Sequence, residues 1–166
     1  MSKKIEKKSK LSMKGVWHIE VRDAETGQIT YEKTKENIIP DVALNAFASQ
    51  IALSTITTDI GDNLYIAVGD DNTAVSASDT TLGNETARKA ISSRSVSDGV
   101  ASIVVFFASG EATGTHEEVG LFGNGKNSTA SSSPDTGILF SHVNDTISIS
   151  ASETLTLTFS LTFSRS

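Results

Sequence analysis

Residues 154–163 read Thr-Leu-Thr-Leu-Thr-Phe-Ser-Leu-Thr-Phe, TLTLTFSLTF, an unbroken alternation. Successive side chains of an extended chain point to opposite sides, so Leu155, Leu157, Phe159, Leu161 and Phe163 share one face. Thr154, Thr156, Thr158, Ser160 and Thr162 share the other. The run is a strand with one face in a core and one hydroxyl-coated face turned outward, which is the pattern of an antiparallel sheet.

The neighbouring sequence has the same character. Working back from this strand, 147–149, 138–143 and 116–122 read as short strands, with a long polar loop, NGKNSTASSSPDTG, at 124–137. Residues 87–96 and 100–108 read as a hairpin around Ser97-Asp98-Gly99, since Asp-Gly is a strong turn dipeptide. Within it, Ile103-Val104-Val105-Phe106-Phe107 is apolar on both faces and should be covered on both sides by a sheet, the helix or a neighbouring subunit. Leu64-Tyr65-Ile66-Ala67-Val68 is a strand closed by Gly69, followed by a polar, turn-rich stretch. Residues 15–37 read as a hairpin turning at Ala24-Glu25-Thr26-Gly27. Only 40–53 changes period: Leu44, Phe47, Ala48 and Ile51 recur at i, i+3, i+4, i+7 behind Pro40, predicting one short helix. The fold class expected is mainly β, an antiparallel β-sandwich with that helix.

Composition agrees. Ser and Thr total 43 of 166 residues against ten aromatics, a balance suited to sheets coated with short hydroxyl side chains rather than to a helix bundle. There is no cysteine, which removes disulfides, thiolate metal sites and cysteine nucleophiles. The net charge of −6 is uneven: residues 1–14 carry six lysines and one glutamate, leaving −11 on residues 15–166. The expected organisation is a basic flexible arm, 1–14, and one domain, 15–166. The lysine-rich leader has no apolar run of a signal peptide or anchor, so a soluble product made in the cytoplasm is expected, without a membrane partner. An acidic body would repel a phosphate backbone, so nucleic acid is not an expected partner.

Several stretches invite a chemical reading. Gly120, Gly125 and Lys126 satisfy G-x-x-x-x-G-K, but Asn127 stands where a nucleotide-binding loop needs Ser or Thr, and NSTASSSPDTG offers no helix to hold phosphates. His18, His116 and His142 lie in no local ligand spacing, and His116 beside Glu117 and Glu118 reads as a solvated strand start. Asp70-Asp71-Asn72 is better read as a tight acidic turn than as a calcium loop. No G-x-S-x-G supports a hydrolase. No catalytic, cofactor or metal residue is therefore assigned. Glu85 and Arg88, three apart, are either exposed charges worth at most about 1 kcal/mol or a loop-pinning ion pair, with Arg88 gripping Glu85 or Glu118.

Three stretches in order carry a resemblance: NLYIAVGD at 63–70, TTLGNETARKAI at 80–91 and EEVGLFGNGK at 117–126. Together they resemble small virion proteins of tailed bacteriophages, the tail-fibre and tail-collar-fibre group in particular, in which such a strand precedes L-x-N-E-x-x-R-x-x-I and then E-V/A-G-L-F. The resemblance implies a non-enzymatic structural protein of the virion, a homo-oligomer and often a trimer, docking to other virion proteins. With no repetitive shaft in these residues, a short fibre or adaptor is the expectation, and a capsid decoration or head-fibre protein the alternative. The doubly apolar strand then makes Val104 and Phe106 the candidate subunit interface. From another class, a carbohydrate-binding β-sandwich module would need an aromatic platform, for which Trp17, Tyr31 and Tyr65 are available.

Overall fold

A computed structural model describes residues 10–52, 61–125 and 128–165. The chain runs through β1 (Leu11–Asp23), β2 (Ile29–Glu36), α1 (Asp41–Ala52), β3 (Tyr65–Gly69), β4 (Glu85–Ala90), β5 (Ser93–Ser97), β6 (Val100–Phe107), β7 (Gly114–Gly123), β8 (Ile138–Ile149) and β9 (Glu153–Arg165). The strands form two antiparallel sheets, β2-β1-β9-β6-β5 and β4-β3-β7-β8, packed as a sandwich. The fold class read from the sequence is the one observed.

The TLTLTFSLTF strand, β9, is the centre of the five-stranded sheet. Its apolar face lies in the core from Leu155 to Leu161, while Phe163 at the end of the run is exposed, and its register sets Trp17 opposite Phe159, Ile19 opposite Leu157 and Val21 opposite Leu155 on β1. The Trp17 and Phe159 rings meet at a centroid distance of 5.2 Å. Across the sandwich, Ile66, Val68, Val119, Leu121 and Val143 close the core, and the Trp17 indole N–H donates to Ser141 Oγ at 2.8 Å.

Several expectations need correction. The first strand begins at Leu11, inside the stretch assigned to the arm, because residues 11–14 pair with the end of β9; residues 1–9 lie outside the described residues. The helix is found, but its buried face is Ala43, Ala46 and, in part, Phe47, whose ring packs on Phe140; Leu44 and Ile51 are exposed. The helix approaches the sheet on its small residues. Residues 87–96 are not one strand: β4 belongs to one sheet and β5 to the other, and the chain crosses where Ile91 N–H donates to Leu64 O and Ser92 N–H to Val104 O. The β5–β6 hairpin does turn at Asp98 and Gly99, both at positive φ.

The strand covered on both faces is β7 rather than β6. Beyond the main core, Ala67, Leu82, Phe122 and Leu139 form a second small cluster on the outer face of the four-stranded sheet, with Val42 of α1 against it. On β6, Val105 and Phe107 enter the core, but Phe106 on the opposite face is 44% exposed and Val104 half-buried. Among the described residues, the outer side of β6 is thus only partly covered.

Candidate functional site

A buried cluster of titratable groups lies on that outer face of the four-stranded sheet, under the 70–84 loop. Glu118 projects from β7 and His142 from β8, where the register sets His142 opposite Gly120. Because Gly120 has no side chain, Leu82 can settle onto the sheet; a Cβ there would lie 2.8 Å from Leu82 Cδ2. Seating Leu82 brings Gly83 and Asn84 over Glu118, whose Oε2 and Oε1 accept their backbone N–H groups, each at 2.9 Å.

His142 sits between two carboxylates. Its Nε2 lies 3.0 Å from Glu118 Oε2 and its Nδ1 2.8 Å from Asp79 Oδ2. Burial alone would lower the His142 pKa, but the hydrogen bonds and charges of Glu118 and Asp79 outweigh it and hold the ring above its ordinary value. Burial likewise works to raise the Glu118 carboxyl, and the bonds from His142, Asn84 N–H and Gly83 N–H win, leaving it low. The result is an imidazole held between two carboxylates that favour its charged form, lining a cavity of about 310 Å³ together with Asp71, Ser78 and Thr81. With both ring nitrogens engaged, His142 has no free lone pair to accept a nucleophile's proton or to ligate a metal. Chemically the cluster is a clasp that ties the loop to the sheet.

The Glu85–Arg88 pair is real, and its partner is Glu85, not Glu118. Arg88 Nε and Nη2 reach Glu85 Oε1 and Oε2 at 2.6 and 2.7 Å, and both side chains are 2% exposed or less. Exposed charges are therefore the wrong description. The guanidinium also stacks 4.1 Å from the Phe122 ring centroid, and its Nη1 donates to Thr136 O at 2.8 Å. The expected exposed loop at 123–137 is consequently held down in part, with Asn124 and Ala130 buried. Lys126 and Asn127 lie outside the described residues. Among the described ones, β7 runs through a Gly125–Ser128 bridge and returns as antiparallel β8, which is not the strand-to-helix turn that binds phosphate.

Other candidates fall as follows. His116 is buried, not solvated: Nε2 lies 3.0 Å from Ala112 O and Nδ1 3.1 Å from Thr86 Oγ1. Asp70 accepts from the Asn84 amide and Asp71 from Thr73 N–H, as an acidic turn does. Trp17 is fully buried, so it presents no ring to a sugar, and the Tyr31 hydroxyl is bonded to Asp145. Val104 and Phe106 share the outer face of the five-stranded sheet with Thr158 and Thr156, their partners on β9. Asp79 and His142, the members of the clasp that local spacing does not mark, are 63 residues apart in the chain.

No family model, curated protein or solved structure matches this chain. Among the described residues, no helix is long and apolar enough to cross a membrane.

Proposed function

We propose that this chain is a structural subunit of a tailed-bacteriophage particle, a short fibre or adaptor of the tail apparatus, that works by self-assembly and docking to other virion proteins. The observation that carries the reading is Phe106. It stands 44% exposed beside Val104 on a strand flanked by β9 and β5, where the neighbouring β9 presents threonine and serine on the same face. Fully burying a phenylalanine contributes roughly 1.5–3 kcal/mol, and a second subunit on this face would supply the part of that cover which Phe106 lacks.

Two further features support it. The three motifs that resemble phage fibre proteins are structural in this fold: Leu82, Glu85 and Arg88 seat a loop, while Val119, Leu121 and Phe122 fill two cores. The clasp and the ion pair stiffen loops in the manner of a building block. Sedimentation of the purified chain should show a homo-oligomer that Phe106→Ser weakens without unfolding it. Labelled antibody on intact particles should mark the tail. A monomer at all micromolar concentrations sinks the assembly reading, and label on the head moves the protein to the decoration or head-fibre class.

A further inference from the structure

We infer that His18, Glu20 and Glu32 form a binding site for one divalent transition ion of the zinc class on the outer face of the five-stranded sheet. His18 and Glu20 are two apart on β1 and so point to the same side, and Glu32 on β2 is the direct cross-strand partner of Glu20. One ligand atom from each of the three lies within 4.8 Å of the others. Two carboxylates directly opposite each other repel; the Arg22 fork on Glu20 offsets part of that, and a cation between the two would offset the rest.

The spacing itself points to an ion rather than to a hydrogen bond. His18 Nε2 and Glu32 Oε1 are 3.6 Å apart, too far for a direct bond. Two donors on a tetrahedral ion with bonds of about 2.1 Å are separated by about 3.4 Å. The supporting contacts are also in place. His18 Nδ1 is 3.3 Å from Thr34 Oγ1, which leaves Nε2 facing the carboxylates and fixes the ring as metal-bound imidazoles are fixed by their second nitrogen. Glu20 is oriented by the Arg22 fork, with Nε and Nη2 at 2.6 and 2.7 Å from its two oxygens. Each carboxylate oxygen retains a second acceptor position for the ion. One imidazole with two carboxylates suits zinc or its neighbours better than magnesium or calcium, which take oxygen alone. The remaining coordination positions open to solvent, because His18 and Glu32 are about half exposed.

Isothermal titration of the full chain with zinc chloride at pH 7.5 should give one ion per chain, and magnesium chloride should give none. His18→Ala and Glu32→Gln should each weaken zinc binding about tenfold or more, with melting curves in the absence of metal showing that both variants fold. X-ray absorption of the zinc-loaded chain should report one imidazole among oxygen donors. No heat up to millimolar zinc, or binding that survives both substitutions, overturns the site.

Discussion

The imidazole of His142 on β8 lies 3.0 Å from the carboxylate of Glu118 on β7, and this contact between neighbouring strands is the base on which the 79–84 stretch is tied down. Glu118 also holds the backbone of Gly83 and Asn84, and His142 reaches on to Asp79, so both ends of the 79–84 stretch are tied to neighbouring strands. Removing one member would leave a buried charge without its counterpart, which typically costs about 3–5 kcal/mol. Glu118→Ala should therefore be among the more damaging single changes, lowering the urea midpoint and opening the 70–84 loop to protease.

The clasp should also impose a pH profile. Stability drawn from charged Glu118 is complete above the ordinary glutamate value of 4.5 and lost as pH falls through its lower folded value. Stability drawn from protonated His142 is complete below the ordinary 6.5 and lost as pH rises through its raised folded value. Both contributions are whole only between these limits. Urea unfolding should show stability declining on the alkaline side of 6.5, and His142→Gln should flatten that limb. An identical alkaline slope in the variant rules the clasp out as its source.

Arg88 and Glu85 predict a different signature. The guanidinium makes a fork to Glu85, stacks on Phe122 and bonds the carbonyl of Thr136. A lysine keeps the charge but cannot reproduce a planar fork or the stacking. Arg88→Lys should thus be nearly as harmful as Arg88→Ala, about 3–5 kcal/mol for the latter, and should speed proteolysis within 128–137. Equal stability of Arg88→Lys and the native chain would show that only charge matters there.

What could be read from the sequence divides along the range of the interactions. TLTLTFSLTF fixes its own two faces by alternation, and the Asp98-Gly99 turn and the Glu85–Arg88 spacing are equally local. The position of the helix is legible but its phase is not, because hydrophobic pattern weighs Leu44 and Ile51 above Ala43 and Ala46, whereas close approach to a sheet selects the small pair. The doubly apolar run at 103–107 reads as more buried than VGLF at 119–122, yet the loop carrying Leu82 covers β7, whereas among the described residues Phe106 stays 44% exposed. Asp79, His142 and Glu118 converge only once β7 and β8 pair and the 70–84 loop folds back. No local spacing encodes that meeting.

At Gly69 the loop lies close against β3. A Cβ at this position would lie 2.5 Å from Asn84 O and 2.3 Å from Glu118 Oε1, so the backbone of the loop leaves no space for a methyl group. Gly69→Ala should destabilise by about 1–3 kcal/mol, as overpacking does, and disturb the Glu118 contacts. Gly61→Ala is the control, since among the described residues its added Cβ would meet Arg94 Nη1 at 3.5 Å, an ordinary contact. Guanidinium unfolding of the two variants side by side gives the comparison, and equal midpoints would refute it.

Trp17 gives the last test, since it is the sole tryptophan and joins the two sheets through Ser141. Both side chains are fully buried, so Ser141→Ala would strand the indole N–H without an acceptor, at a cost of about 1–3 kcal/mol. Adding Trp17→Phe to that variant removes the stranded donor while deleting core volume, and a double-mutant cycle separates the two effects. The coupling should be clearly nonzero, because the hydrogen bond spans the sandwich. Fluorescence of the native chain adds a functional readout: a ring with no solvent exposure should neither shift nor quench on titration with oligosaccharides. A saturable change would mean that sugar reaches the core or rearranges it, and would revive the carbohydrate-binding alternative.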